Sequence, residues 1–291
     1  MAKYSWSETF ISLEGEFLFQ GYPTVYVRFA RCNFTCQKFN NPDNVKITNE
    51  VLGFNPKDYN KLSDVPLITM GCDSLYAHDK RFEHLWHTGD ENDLATELVS
   101  LLPDKKWIHP ITGLPYICSI TGGEPTLYQK TLPSLLNHPL MNDLKLLLIE
   151  TNGSVPLSDS FIFELNYWSS CQENRRIIWS NSPKLSASGE KWERAICPKV
   201  ILAQNKVYES TQYFKFVCGP RKEDFDEVEK AMNEFYDVGI LKSVPVGIMP
   251  ESCTSQQQNE IAVQVADMCI KRGYVYVARL QNYLWGNAIG T

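Results

Sequence analysis

No uncharged apolar run in this chain approaches the ~18 residues of a membrane span. No Gly/Ser linker, low-complexity tract or internal repeat interrupts it either. The first absence excludes a transmembrane helix; the second favours one domain over residues 1–291. Positive charge is in deficit, with 28 Lys and Arg against 34 Asp and Glu. That balance argues against an extended nucleic-acid surface and makes a small molecule the expected partner. The opening Met1-Ala2-Lys3-Tyr4-Ser5-Trp6 lacks the apolar core of a signal peptide, so a cytoplasmic protein is expected. Histidine is scarce and shows no metal-binding spacing of its own, so the histidines are read as surface or packing residues.

What is present is a set of β-branched and aromatic runs at 24–30, 115–121, 145–151, 176–180, 213–218, 243–249 and 274–279. Between them, 91–102, 129–137, 158–168, 222–238 and 255–272 carry apolar residues at helical spacing. In the last of these, Ile261, Val265, Met268 and Cys269 share a face, with Thr254 or Ser255 as N-cap and Gly273 as stop. Such alternation predicts an α/β fold with an open parallel sheet and outer helices. Polar motifs follow strand after strand, and in such a sheet the strand ends surround the site.

Nine cysteines, an odd number without a secretion signal, argue for reduced thiols. Cys118, Cys171, Cys197, Cys218, Cys253 and Cys269 fall mostly in apolar contexts and are read as packing residues. Cys32 and Cys36 differ, because they follow a strand-like run in Val27-Arg28-Phe29-Ala30-Arg31-Cys32-Asn33-Phe34-Thr35-Cys36. Soft thiolates at that spacing suit zinc or an iron–sulfur cluster. A third cysteine three residues on is missing, since Phe39 stands there; Cys72, before Asp73-Ser74, is the best replacement. A polar segment, 37–71, is then an insertion in the loop, tolerable because closure entropy grows only logarithmically with length. A zinc site completed by His78, His84 or His87 is the competing reading. Further on, Thr121-Gly122-Gly123-Glu124-Pro125 closes another apolar run with a glycine pair and a carboxylate.

Together these motifs resemble the radical S-adenosylmethionine superfamily. The resemblance implies a partial (β/α) barrel and a 4Fe–4S cluster on Cys32, Cys36 and Cys72. It also implies S-adenosylmethionine bound by Gly122, Gly123, Glu124, Glu150, Asn152, Ser182 and Lys184. The reactive radical then comes from S-adenosylmethionine rather than from a catalytic side chain. Leu13-Glu14-Gly15-Glu16-Phe17, Tyr26-Val27-Arg28, Cys72-Asp73-Ser74, Glu150-Thr151-Asn152-Gly153, Ser182-Pro183-Lys184, Lys215-Phe216-Val217, Met249-Pro250-Glu251 and Leu284-Trp285-Gly286 narrow it to the 7-carboxy-7-deazaguanine synthase family.

That family's reaction is ring contraction of 6-carboxy-5,6,7,8-tetrahydropterin, with loss of ammonia, to the precursor of queuosine-type bases. The resemblance implies substrate contacts from Leu13, Glu14, Gly15, Glu16, Arg28, Thr121 and Thr291. It implies Mg²⁺ on Ser74, an external electron donor such as flavodoxin or ferredoxin, and a homodimer. Arg28 would meet the substrate carboxylate with its planar fork. Glu14 stands for the family's Gln, Phe17 for a Gly and Ser74 for a Thr, and Gly71 for a frequent aromatic. Glu14 thereby reads as an acceptor-only carboxylate. A glycyl-radical-enzyme activase and a zinc-stabilised binding protein remain as alternatives, the latter favoured by Phe39.

Overall fold

The computed structural model describes residues 3–286 and 288–290, so Thr291 lies outside the described residues. Among those residues nine strands form one sheet: β1 (Tyr4–Leu13), β2 (Pro23–Phe29), β3 (His87–Gly89), β4 (Ile117–Gly122), β5 (Leu146–Thr151), β6 (Arg176–Asn181), β7 (Ser210–Cys218), β8 (Val246–Pro250) and β9 (Val275–Tyr276). Their order is β3-β1-β2-β4-β5-β6-β7-β8-β9. From β2 to β9 all neighbours are parallel, whereas β1 runs antiparallel to both β2 and β3. The sheet does not close, and the result is the open, incomplete (β/α) barrel that was expected.

The helices are α1 (Asn49–Leu52), α2 (Glu91–Ser100), α3 (Leu132–Leu136), α4 (Asp159–Ser170), α5 (Trp192–Ala195), α6 (Pro198–Gln204), α7 (Lys222–Asp237), α8 (Ser255–Arg272) and α9 (Leu280–Trp285). The periodic segments all carry helix, although the one read at 129–137 shrinks to α3, with Pro133 in its first turn. In α8 the Thr254 hydroxyl accepts from the Gln257 N–H, and Gly273 closes the helix in the left-handed region at φ 76°. The antiparallel edge was not anticipated. β1 mixes Ser, Glu and Thr among its aromatics, and its pairing with β2 shifts register between Trp6 and Glu8. It therefore lacks the continuous apolar run by which the doubly buried parallel strands were found.

The period-two alternation of the strands separates two environments. Outward-facing Cys118, Ile120, Leu147, Ile149, Ile177 and Trp179 bury against the helices. Inward-facing Ile117, Leu148, Ile178 and Tyr213 make an apolar floor, closed from below by Phe17, Phe19 and Tyr22. Above that floor the same inward positions turn polar: Arg28 of β2, Thr121 of β4, Glu150 of β5 and Lys215 of β7 all face one cavity.

The 37–71 segment corrects the expectation of a polar loop. It has an apolar cluster of its own, in which Ile47, Val65 and Ile68 bury against Leu75, Tyr76, Ala77, Phe82 and Leu85. Scattered apolar residues without period gave no sign of it, because the segment is held by short turns rather than long helices.

Candidate active site

A cavity of about 210 Å³ opens at the C-terminal ends of the parallel strands. Its two ends differ in chemistry. At one, Cys32, Cys36 and Cys72 line the wall and pack with Phe34, Phe39 and Ala195. The Gly71 N–H donates to the Phe39 carbonyl at 2.7 Å. The 39–71 segment thus leaves and returns at one point, which brings Cys72 directly beside Phe39. The loop carrying Cys32 and Cys36 is fixed from outside. Glu190 accepts from the Thr35 and Cys36 N–H groups at 2.8 and 3.1 Å, and Asn152 donates to Asn33 at 2.9 Å.

The glycine pair at the end of β4 has a steric reason. A Cβ on Gly122 would lie 2.1 Å from the Phe29 carbonyl oxygen, and one on Gly123 2.0 Å from that of Arg31. Either side chain would push the thiol-bearing loop away. Glu124 does not line the cavity. It is fully buried beneath it, accepting from Thr126 N–H, Thr151 Oγ1 and Asn152 N–H at 3.0, 2.7 and 2.7 Å. Its carboxylate ties the ends of β4 and β5 together.

All nine cysteines are free thiols. Burial pushes Cys32 up to about 11 and Cys36 up to about 12, and holds Cys72 well above the usual thiol range. Iron binding would have to expel those protons. The donor set suits a polynuclear cluster: three soft ligands on one wall, next to a glycine cradle a Cβ would fill. Zinc would draw its thiolates to roughly 4 Å of each other. Among the described residues no three His, Cys, Asp or Glu side chains gather as ligands of a single ion. His84 faces the Tyr59 carbonyl and His87 stacks on Trp6, whereas His78 lines the same cavity as the thiols.

The other end holds fixed charges. Lys215, 6% exposed, pairs with Glu16 and lies 3.6 Å from Glu150. Arg279 reaches Asp73 at 3.2 Å and Glu16 at 3.7 Å. Arg28 donates to Glu8 at 2.7 Å and to Ser74 Oγ at 3.0 Å, while Ser74 donates to Asp73 at 3.4 Å. Burial alone would raise Glu16; Lys215 and Arg279 instead hold it down at about 2. Burial likewise opposes the charge on Lys215, and Glu16 with Glu150 keeps it protonated.

Of the residues read from sequence, Glu16, Arg28, Thr121, Gly122, Gly123, Glu150, Asn152, Ser182, Lys184 and Ser74 line this cavity with the three thiols. Lys184 donates to Ser182 Oγ at 3.1 Å, as two residues either side of Pro183 can. Leu13, Glu14 and Gly15 stand behind the wall; Gly15 is where the Gln281 side chain crosses the backbone. Sequence reasoning missed Tyr26, Phe39, Asp73, Lys215, Cys253 and Arg279 as lining residues. Lys215 stood in a recognised motif, but Arg279 carried no local signal. The reading of six cysteines as packing residues needs correction: Cys171 is exposed, Cys197 half-buried, and Cys253 buried but facing the cavity.

No protein-family model matches the chain. A 7-carboxy-7-deazaguanine synthase of Methanospirillum hungatei is 29% identical over 153 residues, 53% of this chain and 44% of that protein. One of Clostridium acetobutylicum is 27% identical over 247 residues, 85% of this chain and 81% of that protein. This chain resembles the 7-carboxy-7-deazaguanine synthases. The fold agrees: the crystal structure of QueE from Escherichia coli matches with a TM-score of 0.52 at 18% identity, over 95% of this chain and 93% of that one. The match to the archaeal synthase spans less than half of its length, whereas the clostridial one is matched over most of its length. Among the described residues no helix is long and apolar enough to cross a membrane.

Proposed function

We propose that this chain is a radical S-adenosylmethionine enzyme that converts 6-carboxy-5,6,7,8-tetrahydropterin to 7-carboxy-7-deazaguanine with release of ammonia. The observation that carries this reading is one cavity with three thiols at one end and an anchored set of cations and carboxylates at the other. A 4Fe–4S cluster on Cys32, Cys36 and Cys72, with S-adenosylmethionine, would supply the radical that removes a substrate hydrogen.

The remaining work belongs to the chain's own side chains. Lys184 and Ser182 offer a cation and a hydroxyl to the carboxylate of S-adenosylmethionine, and Gly123 lets the backbone stand close. Arg28 is anchored by Glu8 and Ser74 and keeps further N–H donors for a carboxylate on the substrate. Glu16, ionised and fixed by Lys215, presents an acceptor to the guanidine-like edge of a pterin. Ser74 and the Asp73 carboxylate can share Mg²⁺ with substrate oxygens and water. Holding these groups in fixed positions is the protein's share of the rate. The reading brings with it an external one-electron donor of the flavodoxin or ferredoxin kind, a homodimer and a cytoplasmic site of action.

Anaerobic reconstitution tests it. The expected result is about four irons per chain, cleavage of S-adenosylmethionine on reduction, and a deazaguanine product found by mass spectrometry only with the carboxylated pterin. One zinc per chain and no such cleavage would overturn it. Cleavage coupled to radical formation on a polypeptide would replace it with the activase reading.

A further inference from the structure

Behind the charged end lies a carboxyl group that makes no ion pair among the described residues, with Lys215 the cation that faces it. Glu14 is 3% exposed. It accepts from the Glu16 N–H at 3.3 Å and stands 3.0 Å from the Tyr26 hydroxyl. The groups that face it are Glu16 from its own loop, Glu150 from β5, Tyr26 from β2, and Lys215 and Tyr213 from β7. The Lys215 ammonium is already taken by Glu16 and Glu150. Ionising Glu14 would put a third carboxylate, stripped of water, around that single ammonium. A buried acid in such a place gives up its charge instead.

Tyr26 forms part of the cavity wall. Its ring is stacked on Phe10, with centroids 4.7 Å apart and planes 11° from parallel, so the direction of its O–H is the main freedom left. Besides Glu14, that hydroxyl reaches the Leu13 carbonyl at a long 3.4 Å, an acceptor that a ligand in the cavity has to outcompete. The 3.0 Å separation from Glu14 is the same whichever oxygen holds the hydrogen.

We propose that Glu14 is a neutral carboxylic acid in the working protein, and that its O–H, donated to the Tyr26 oxygen, frees the Tyr26 hydroxyl to donate into the cavity. Glu14 is then a positioning residue and Tyr26 the group that selects a ligand. A neutral acid carries one O–H donor beside its acceptor oxygen, so like an amide it can donate as well as accept, unlike the acceptor-only carboxylate read from the sequence. The ligand selected is a ring with a hydrogen-bond acceptor facing Tyr26, such as a ring carbonyl or imine nitrogen. That choice of ligand rests on the synthase reading above; the protonation of Glu14 does not. Burial first, then Glu150 and Glu16, push the Glu14 carboxyl up to about 8, so the switch falls just above neutral pH.

The experiment uses the reconstituted protein with S-adenosylmethionine and no reductant. Affinity for the carboxylated pterin is measured from pH 6 to 9.5 in the parent, Glu14→Gln and Glu14→Ala, alongside infrared spectra of the protonated-carboxyl carbonyl band. The parent should lose about tenfold in affinity between pH 7 and 9. Glu14→Gln should match the parent at pH 7 and lack this step, and Glu14→Ala should be weak throughout. The band should be present at pH 7, fade toward pH 9, and be missing in Glu14→Gln. A parent without the band at pH 7, or a Glu14→Gln variant that keeps the pH step, would overturn the proposal. An intact band with no pterin binding at any pH would instead overturn the synthase reading and the donor role of Tyr26, with the neutral acid still standing.

Discussion

The thiols at one end of the cavity hang on loop backbone, whereas at the other end Lys215, Glu150 and Arg28 stand on strands and hold the loop-borne Glu16 and Ser74. Cys32 and Cys36 ride a turn held from outside by Glu190, and Cys72 arrives at the end of the long 37–71 segment. Lys215, Glu150 and Arg28 rise from β7, β5 and β2, where sheet register fixes their spacing. The thiols are neutral before any metal binds and leave no buried charge. Lys215 and Arg279 are buried ions and Glu16 a half-buried one, and they are tolerable only together. Damage at the first end should therefore remove function and spare the fold; damage at the second should cost the fold first.

The largest contrast is expected from Cys72→Ala. The variant should reconstitute as little iron as Cys32→Ala, while the metal-free protein unfolds at nearly the temperature of the metal-free parent. Four irons retained in Cys72→Ala would show that the insertion does not deliver the third ligand. A large fall in melting temperature would break the comparison itself.

Lys215→Met is the mirror experiment. It leaves Glu16 and Glu150 facing each other without the ammonium they share. Removing one partner of a buried ionic group costs about 3–5 kcal/mol, measurable by urea unfolding of the metal-free protein. An unchanged midpoint would mean that water already screens the pair.

Most of the parallel half of the sheet was legible because doubly buried strands are written as apolar runs ended by turn residues. The thiol end was legible through local spacing, and even Cys72, the third thiol on its wall, could be found from the Asp73-Ser74 that follows it. Arg279 was invisible, since its place beside Asp73 and Glu16 exists only once β8 and β9 are paired and the chain turns back over the cavity. The apolar cluster of 37–71 was hidden for a similar reason: its partners at 75–85 lie outside the segment. β1 was lost because a polar-sided antiparallel strand lacks the run that marked the others.

Acid should separate the two ends next. Glu16 is held at about 2 against a usual value near 4.5. Its folded state is depressed below the unfolded one, so its contribution is complete above about pH 4.5 and is lost as pH falls toward 2. Integrated over that window, the contribution is up to about 3 kcal/mol. Stability of the metal-free protein should drop over this range, and less so in Glu16→Gln. The thiols titrate far above this window and should add nothing to it. Identical acid limbs in both proteins would mean that the Glu16–Lys215 pair does not hold the fold.

Arg28→Lys gives the smallest expected effect and the one closest to the chemistry. Arg28 sits where the two ends meet, four residues before Cys32 and bonded to Ser74. Lysine keeps the charge but cannot hold Glu8, Ser74 and a carboxylate with one planar group. Binding of the carboxylated pterin should weaken by roughly 1.5–3 kcal/mol, or about ten- to a hundredfold. The decarboxylated pterin should show no such loss. Reductive cleavage of S-adenosylmethionine without substrate should persist, because the thiols and the glycine pair are untouched. Lost cleavage in Arg28→Lys would show that the charged end also governs the thiol end. Equal weakening for both pterins would show that Arg28 shapes the wall rather than holding a carboxylate.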